Sequence, residues 1–530
     1  MRTDAATVDE VLNLTEAAGF IRVSGKTLRE MARRRRVPCQ KVGREWRFLR
    51  RSLEEWLAGE QRNTIVSEPI GVYGQETLFP ETAVDANEEV RPGFGDTAFT
   101  KNRREPLHRW VPWVAGFSAA FVEEALERTV HSDPSKVLVL DPFAGVGTTL
   151  VEGLKRGYNV VGFEINPYAA LVCQAKTSCV ACRLDQLTEA IRRIEEIRER
   201  RRGDDLEPTS CPPADFRSRV PFFSPAVQRE VLLVQDVIEK HTTGHVRKML
   251  EVALGAVMVS FSNYSYEPSL STRSAAGKGN IDYADVLKIV CNKLWEIEAD
   301  VGFMQRHMKR FKHKPSAKVH RSSYLGNAIG LNPRSVDVLV TSPPYLNNYH
   351  YVRNTRPQLY WLRLVKSTED LKRLETESFG QFWQTVRGGP PIGLSFELPE
   401  LENLLQSIRR RNPHKGIYGG AGWANYAAAY FNDCNRFFTV TRRVMRPGGL
   451  VIIVIGNNIV QGIHIATDRL LAEIGRLHGF SVEGMHEVRK KRTGSSIVNS
   501  SVRAGTMEQP TELYETAVEL RAPGRRESKG

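Results

Sequence analysis

The stretch "VLVLDPFAGVGTTLVEGLKRGYNVVGFE", residues 137–164, constrains the fold more than any other part of the chain. An apolar run, 137–141, ends in Asp141. A turn holding Gly145 and Gly147 follows, then a helical pattern from Thr148 to Gly157, then a second apolar run over 159–164. A strand with no polar face must be covered on both sides, which is the habit of parallel sheets. Strand, glycine turn, helix and strand in that order predict an α/β fold, a doubly wound, Rossmann-like domain.

The rest of the chain arranges itself around that unit. Residues 1–60 are compact and basic: helical patterns near Thr15–Gly19 and Ser24–Arg35, two short strands around Gly43, and a third helical pattern carrying Leu53, Trp56 and Leu57 on one face. Ser24 has the side chain to cap the second helix. Residues 61–104 read as a linker, with two basic and seven acidic residues in 61–100 and several Pro and Gly. The α/β domain is expected over 105–520, interrupted at 170–317 by a helical insertion, a candidate for target recognition. The strand pattern then resumes with "AKVH", "VDVLV" and "GGLVIIVIG".

The glycine turn has a definite chemistry. Its glycines let the backbone approach a ligand closely. Glu164 ends the second strand, 23 positions after Asp141, where a carboxylate accepts both hydroxyls of a ribose. A dinucleotide fingerprint needs a third glycine, and Leu150 stands in its place. A nucleoside without phosphate, such as S-adenosylmethionine, therefore fits better than a pyrophosphate. A second unusual stretch is "VLVTSPPYLNNYHYV", 338–352, in which an apolar strand ends in Thr341-Ser342-Pro343-Pro344-Tyr345. The bland reading is a strand-terminating turn, but two prolines and an aromatic are an odd way to end a buried strand.

Together these motifs resemble the amino-group DNA methyltransferases, which methylate N4 of cytosine or N6 of adenine from S-adenosylmethionine. "DPFAGVGTT" is similar to their cofactor loop, "VVGFEINP" to their ribose-binding strand end, and "TSPPY" to their catalytic turn. "LHRWVPWVAGFSAAFV", 107–122, resembles the segment that closes over the methionine part of the cofactor, and "RRVMRPGGLVIIVIGNN" their later strands. The resemblance implies that Asp141, Phe143, Ala144, Gly145, Gly147, Thr148, Glu164 and Trp113 bind the cofactor. It implies that Ser342, Pro343, Pro344 and Tyr345 hold the target base. The family's acidic residue after the strand preceding "VDVLV" is missing from "HRSSYLGN", so Ser322 or Ser323 would stand in.

The catalytic turn suits such a reaction. The amine of a nucleobase is a weak nucleophile because its lone pair is delocalised into the ring. Ser342 and a turn carbonyl can accept its two N–H groups, and prolines fix φ so that these acceptors wait in place. Tyr345 offers a stacking face, and the base must leave the duplex to reach it. Ser at the first position leans towards cytosine N4 over adenine N6. The Pro38-Cys39 pair lies far upstream of the glycine turn, and Cys39 reads as packing.

DNA is the expected partner, together with any cognate restriction or defence component. Residues 1–60 resemble the small winged helix-turn-helix domains of the excisionase and MerR type, which implies that Lys26, Arg29, Arg33, Arg34 and, in the wing, Arg44 contact DNA. In the large domain, Arg353 and Arg356 follow the catalytic turn and would hold the flipped strand, and "RKKRTGSSIVNSSVR", 489–503, is a further basic segment. A net charge of +14 and pI near 9.4 agree with a polyanionic partner. No apolar run reaches the ~20 residues of a membrane span. Seven unevenly spaced cysteines fit a reducing cytoplasm, near the nucleoid. The Cys179/Cys182 pair lacks partners at zinc spacing, so no metal is expected. Two other functions remain open: an RNA methyltransferase acting on a guanine amine, disfavoured because A-form RNA hides its major groove from such a helix, and a non-enzymatic DNA-binding regulator, disfavoured by two intact motifs.

Overall fold

The computed structural model describes residues 11–21, 23–25, 27–28, 32, 37, 39–42, 45–50, 53, 94, 97, 99–113, 116–128, 133–201, 206–266, 269–326, 328, 330–346, 349–491 and 513–524. The chain divides into two compact units, Met1–Val72 and Tyr73–Gly530.

The first unit is a small helix-and-sheet domain. Strand β1 (Val11–Asn13) runs into helix α1 (Leu14–Phe20), and β2 (Gln40–Val42) and β3 (Glu45–Leu49) form an antiparallel hairpin. β1 pairs with β3, an addition that the sequence pattern did not announce. Asn13 caps α1 by accepting from the N–H groups of Thr15 and Glu16, and Glu16 answers with a bond to the Asn13 N–H. Ser24 accepts from the Thr27 N–H, the cap expected for the next helix, in which Gly25, Thr27, Leu28 and Ala32 are helical. Leu12, Ala17, Ala18, Leu28, Ala32, Val37, Phe48 and Leu53 make its core, and Cys39 packs against it. Lys26, Arg29, Arg33, Arg34 and Arg44 lie outside the described residues, as do Trp56 and Leu57.

The second unit is built on a seven-stranded sheet. Its strands are β4 (Leu138–Asp141), β5 (Asn159–Phe163), β8 (Ala317–His320), β9 (Val336–Thr341), β10 (Met445–Gly456), β13 (Ser481–Lys491) and β14 (Leu513–Arg521). The hairpin β6 (Tyr264–Tyr266) and β7 (Leu270–Thr272) and the pair β11 (Asn458–Val460) and β12 (Ile463–Ile465) stand apart. The order across the sheet is β13-β14-β10-β9-β4-β5-β8, with β14 antiparallel to both its neighbours. The five strands β8, β5, β4, β9 and β10 are parallel. The order reverses between β4 and β9, so the crevice above their carboxyl ends is the natural ligand site.

Side-chain alternation sorts the sheet into two buried faces. From β10, Leu450, Ile452 and Val454 join one core, and Val451, Ile453 and Ile455 the other. Fully burying each such side chain is worth roughly 1.5–3 kcal/mol, so neither face tolerates a register slip. The first face carries α2 (Ala119–Glu127), α3 (Thr148–Lys155) and α4 (Pro167–Thr177), backed by α5 (Leu184–Arg200), α6 (Pro225–His241), α7 (Gly244–Val257) and α8 (Val286–Met308). These last four, with the β6–β7 hairpin, make up most of the helical segment expected at 170–317. The helices that follow β9 are shared between the two faces. They are α9 (Tyr351–Asn354), α10 (Arg356–Trp361), α11 (Thr368–Glu377), α12 (Trp383–Val386), α13 (Pro399–Arg409) and the long α14 (Gly420–Val444), then α15 (Thr467–Leu477) after β12. α9, α10 and α11 give their apolar residues to the first core, and α12, α13, α14 and α15 to the second.

The last part of the expected linker is packed. Asn102 is buried, donating to the Phe117 carbonyl and accepting from the Ala119 N–H, and Phe94 meets Phe121 with ring centroids 5.0 Å apart. The acidic composition of 61–100 hid the Phe94 anchor. Among the described residues no helix is long and apolar enough to cross a membrane, and no cluster of three His, Cys, Asp or Glu side chains could hold a metal.

Candidate active site

Two turns leave the same end of neighbouring strands. β4 pairs with β9 through Val139–Val338 and Leu140–Leu339, so Asp141 and Thr341 finish side by side. The Thr341 hydroxyl donates to Asp141 Oδ1 across 2.6 Å, and the Phe143 N–H donates to the same oxygen at 3.1 Å. The Thr149 hydroxyl reaches the Val340 carbonyl at 3.3 Å. These bonds lock the glycine turn to the Ser-Pro-Pro-Tyr turn at the topological switch point. Burial pushes the Asp141 carboxyl up to about 6, against the bonds from Thr341 and Phe143.

Glu164 closes the turn from β5. Its Oε2 accepts the Gly145 N–H at 2.9 Å and its Oε1 the Asn166 N–H at 2.7 Å. Each oxygen keeps a lone pair for a ligand. Burial raises the Glu164 carboxyl to about 7, and those two backbone donors oppose the rise. Gly145 adopts φ +49°, and a Cβ there would lie 3.3 Å from Trp113 Nε1. That segment is anchored behind by buried Asp300 on α8, which accepts from the Leu107 N–H, the Trp110 indole and the Arg109 guanidinium.

One cavity joins the two turns. Of the residues expected to bind a cofactor, Trp113, Asp141, Phe143, Ala144, Gly145, Thr148 and Glu164 line it, and so do Ser342, Pro344 and Tyr345 from the Ser-Pro-Pro-Tyr turn. Gly147 does not. Its φ of +87° starts α3, and a Cβ there would lie 2.9 Å from Cys173 Sγ, so it packs closely on α4. Pro343 is not in the lining either. The Pro344 carbonyl accepts from the Tyr430 hydroxyl at 2.9 Å, and the Ser342 hydroxyl donates to Tyr345 Oη at a long 3.5 Å. Ser322 and Ser323 also line the cavity.

The sequence pattern did not single out a second set of lining residues. Tyr349, His350 and Tyr351 follow the Ser-Pro-Pro-Tyr turn, Glu375 and Glu377 come from α11, Phe379, Gln381 and Phe382 from the loop after it, and Tyr426 from α14. Phe379 meets Phe143 edge-on at 5.0 Å. The clue was there in "YHYV", directly after the turn, but the carboxylates of α11 carry no motif. Arg353 is exposed on α9. Arg356 is less open than Arg353. It is half-buried, with its guanidinium 5.8 Å from the rings of Phe216 and Tyr360, because α10 presses its apolar side into the core. Of the basic segment 489–503, Arg489–Lys491 end β13 and the rest lies outside the described residues.

An α/β domain with glycine and proline turns meeting in one switch-point cleft defines a class: enzymes that bring a nucleoside-type ligand and a second reactant together. Comparison with known proteins narrows this. A model of the DNA methylase family, covering N6 and N4 enzymes, matches residues 79–175, and a helix-turn-helix domain model matches residues 11–61. The type II methyltransferase M.BsoBI of Geobacillus stearothermophilus is 22% identical over 438 residues, 75% of this chain and 83% of that protein. M.MvaI of Kocuria varians is 24% identical over 382 residues, 70% of this chain and 82% of that protein. The chain is thus similar to type II DNA methyltransferases over most of its length, with an N6/N4 DNA methylase match at the glycine turn and a helix-turn-helix match at its N-terminus.

Proposed function

We propose that this protein transfers a methyl group from S-adenosylmethionine to the N4 amine of a cytosine flipped out of a specific DNA sequence, as a type II modification enzyme beside a cognate restriction activity. The observation that carries the reading is the single cavity shared by Glu164 and Ser342. Its walls suit that cofactor. Two carboxylates, Asp141 and Glu164, would repel a pyrophosphate but can accept from ribose hydroxyls and face a cationic sulfonium. When bound, the cofactor supplies a methyl carbon on a positively charged sulfur. The chain's own residues do the rest. Ser342 keeps lone pairs for one amine hydrogen. Pro344 lines the cavity and its carbonyl keeps a second lone pair beside its bond from Tyr430, so it is the acceptor for the other hydrogen. Tyr345 and the aromatic wall of Tyr349, Tyr351 and Phe382 form the socket for a planar base. Positioning of the amine against the methyl carbon then supplies much of the rate. The DNA-facing residues would include Arg353 and the basic helix and wing of residues 1–60.

The test is to incubate the protein with methyl-labelled S-adenosylmethionine and either duplex DNA or tRNA, then identify the nucleoside by mass spectrometry. N4-methyldeoxycytidine in duplex DNA is the expected product. N6-methyldeoxyadenosine would move the target to adenine, and label in tRNA alone or in neither would overturn the reading.

Glu164 gives a pH prediction for cofactor binding. With its carboxyl near 7, the ionised fraction that accepts ribose hydroxyls rises from roughly 10% at pH 6 to roughly 90% at pH 8. Cofactor affinity should therefore improve about tenfold across that interval by calorimetry or fluorescence quenching. Glu164→Gln should bind about 10- to 100-fold more weakly at pH 8, since hydrogen bonds to a charged acceptor are worth ~1.5–3 kcal/mol, and its pH dependence should flatten. A Gln variant that kept the wild-type slope would assign the titration to another group.

A further inference from the structure

The turn joining α13 to α14 holds a surface that neither motif explains. Ile417 and Tyr418 are 44% and 53% exposed, and among the described residues they are the only two sequence neighbours in the set of exposed large apolar side chains. Their setting is strongly basic. Between Glu402 and Asp433 the chain has Arg409, Arg410, Arg411 and Lys415 and no acidic residue. Between Glu377 and Glu397 it has Arg387 and again no acid. The Arg387 guanidinium lies 4.5 Å from the Trp383 ring and 4.6 Å from the Tyr418 ring.

This turn is rigidly built. Gly416 takes φ +53°. A Cβ at Gly419, Gly420 or Gly422 would come within 2.2, 1.9 or 2.1 Å of a backbone oxygen of Asn412, Ile408 or Ile417. Three glycines are thus needed for the turn to press on the start of α14, and the result presents two apolar side chains to solvent. Exposing them gains nothing for folding, since that area is not removed from water.

The turn is also connected to the active site. The Tyr418 ring lies 5.9 Å from Trp383, which stacks on Trp423 at 5.0 Å, which meets Tyr426 at 6.0 Å, and Tyr426 lines the cavity. Phe382, beside Trp383, lines it too. An aromatic path therefore runs from the exposed turn to the socket for the base. A cationic rim with an apolar tip matches the chemistry of duplex DNA, with phosphates outside and stacked bases within.

We propose that Ile417–Tyr418 is a DNA wedge. Tyr418 inserts beside the target pair and fills the space that the flipped base leaves, while Arg387 and Arg410 hold the flanking phosphates. This rests on the reading that duplex DNA is the substrate, and it adds the residues that open it. Stacking of a base on an aromatic ring is worth ~1–3 kcal/mol, so Tyr418→Ala should lower kcat/KM on plasmid DNA roughly 10- to 100-fold with cofactor affinity unchanged. Tyr418→Trp should recover most of the loss. Once the methylated sequence is mapped, an oligonucleotide lacking the base opposite the target should rescue Tyr418→Ala, because the pair is already open. A purely structural role would not produce that rescue. Arg410→Gln should reduce the log–log salt dependence of DNA binding by about one. A photoreactive benzophenone side chain placed at position 418 should crosslink to duplex DNA. Methylation of plasmid without crosslinking, or a Tyr418→Ala enzyme within twofold of wild type, would overturn the wedge. Crosslinking without methylation would overturn the methyl-transfer reading and leave the wedge standing.

Discussion

Replacing Ser342 with alanine should lower the single-turnover rate of methyl transfer to DNA by about 100- to 1000-fold, the range seen when one preorganised hydrogen-bonding group aimed at a transition state is removed. Cofactor affinity should be unchanged, because Ser342 stands on the β9 side of the cleft and Glu164 on the β5 side, with β4 between them. The loss is expected in the rate more than in KM for DNA. As the amine nitrogen begins to bond to carbon, its hydrogens become more acidic, so an acceptor binds the transition state more strongly than the ground state. The fold should survive, since Ser342 is half-buried and among the described residues its hydroxyl makes only a long 3.5 Å contact, with Tyr345. Ser342→Cys, which keeps a weak acceptor at the same place, should lie between wild type and alanine. An alanine enzyme within a few-fold of the wild-type rate would remove Ser342 from the chemistry, and the shared cavity would need another acceptor.

Legibility in the sequence followed physical locality. Parallel strands buried on both faces read as unbroken apolar runs, so β4, β5, β9 and β10 were visible. The two turns were visible because they need residue types, Gly and Pro, whose backbone limits show in sequence. The second half of the cavity was not. Glu375, Phe379 and Tyr426 come from a helix, a loop and another helix spread over some fifty residues, and only tertiary packing brings them together. The packing role of Gly147 was hidden for a related reason. A glycine required by a ligand and one required by a neighbouring Cys173 look alike in sequence. Arg356 was read as a DNA contact from its charge, yet a long arginine can lay its body on Phe216 and Tyr360.

Lys176→Met should stabilise the large unit at neutral pH, by on the order of 4 kcal/mol. Lys176 lies on α4, 1% exposed, and its Nζ has no hydrogen-bond partner. Burial lowers its amine to about 7, against weaker upward pulls from Cys173 and Asp300, and Lys293 adds to the fall. Buried His108 also faces it, from the segment ahead of Trp113. In the unfolded chain the same amine titrates near 10.5. Between about 7 and 10.5 the folded state therefore binds fewer protons than the unfolded one, and this lysine's contribution to stability rises with pH. Below 7 both states are protonated and the full penalty of a buried ammonium applies. Above 10.5 the penalty is gone. Methionine has nearly the same volume and no charge, so it removes the penalty without opening a cavity. Urea denaturation at pH 6.5, 8 and 9.5 should show the variant ahead at the first and the gap closing towards the last. Buried thiols such as Cys291 titrate in both proteins and cancel in the difference. A gap that stayed constant with pH, or a variant less stable throughout, would mean that the folded protein holds the ammonium with a partner of its own. Lys176 is one helical turn from Cys173, on which Gly147 packs. A costly buried amine at that position fits the general pattern that proteins give up stability next to the loops that bind their ligands. If the glycine turn depends on it, the stabilised variant should bind S-adenosylmethionine more weakly than wild type.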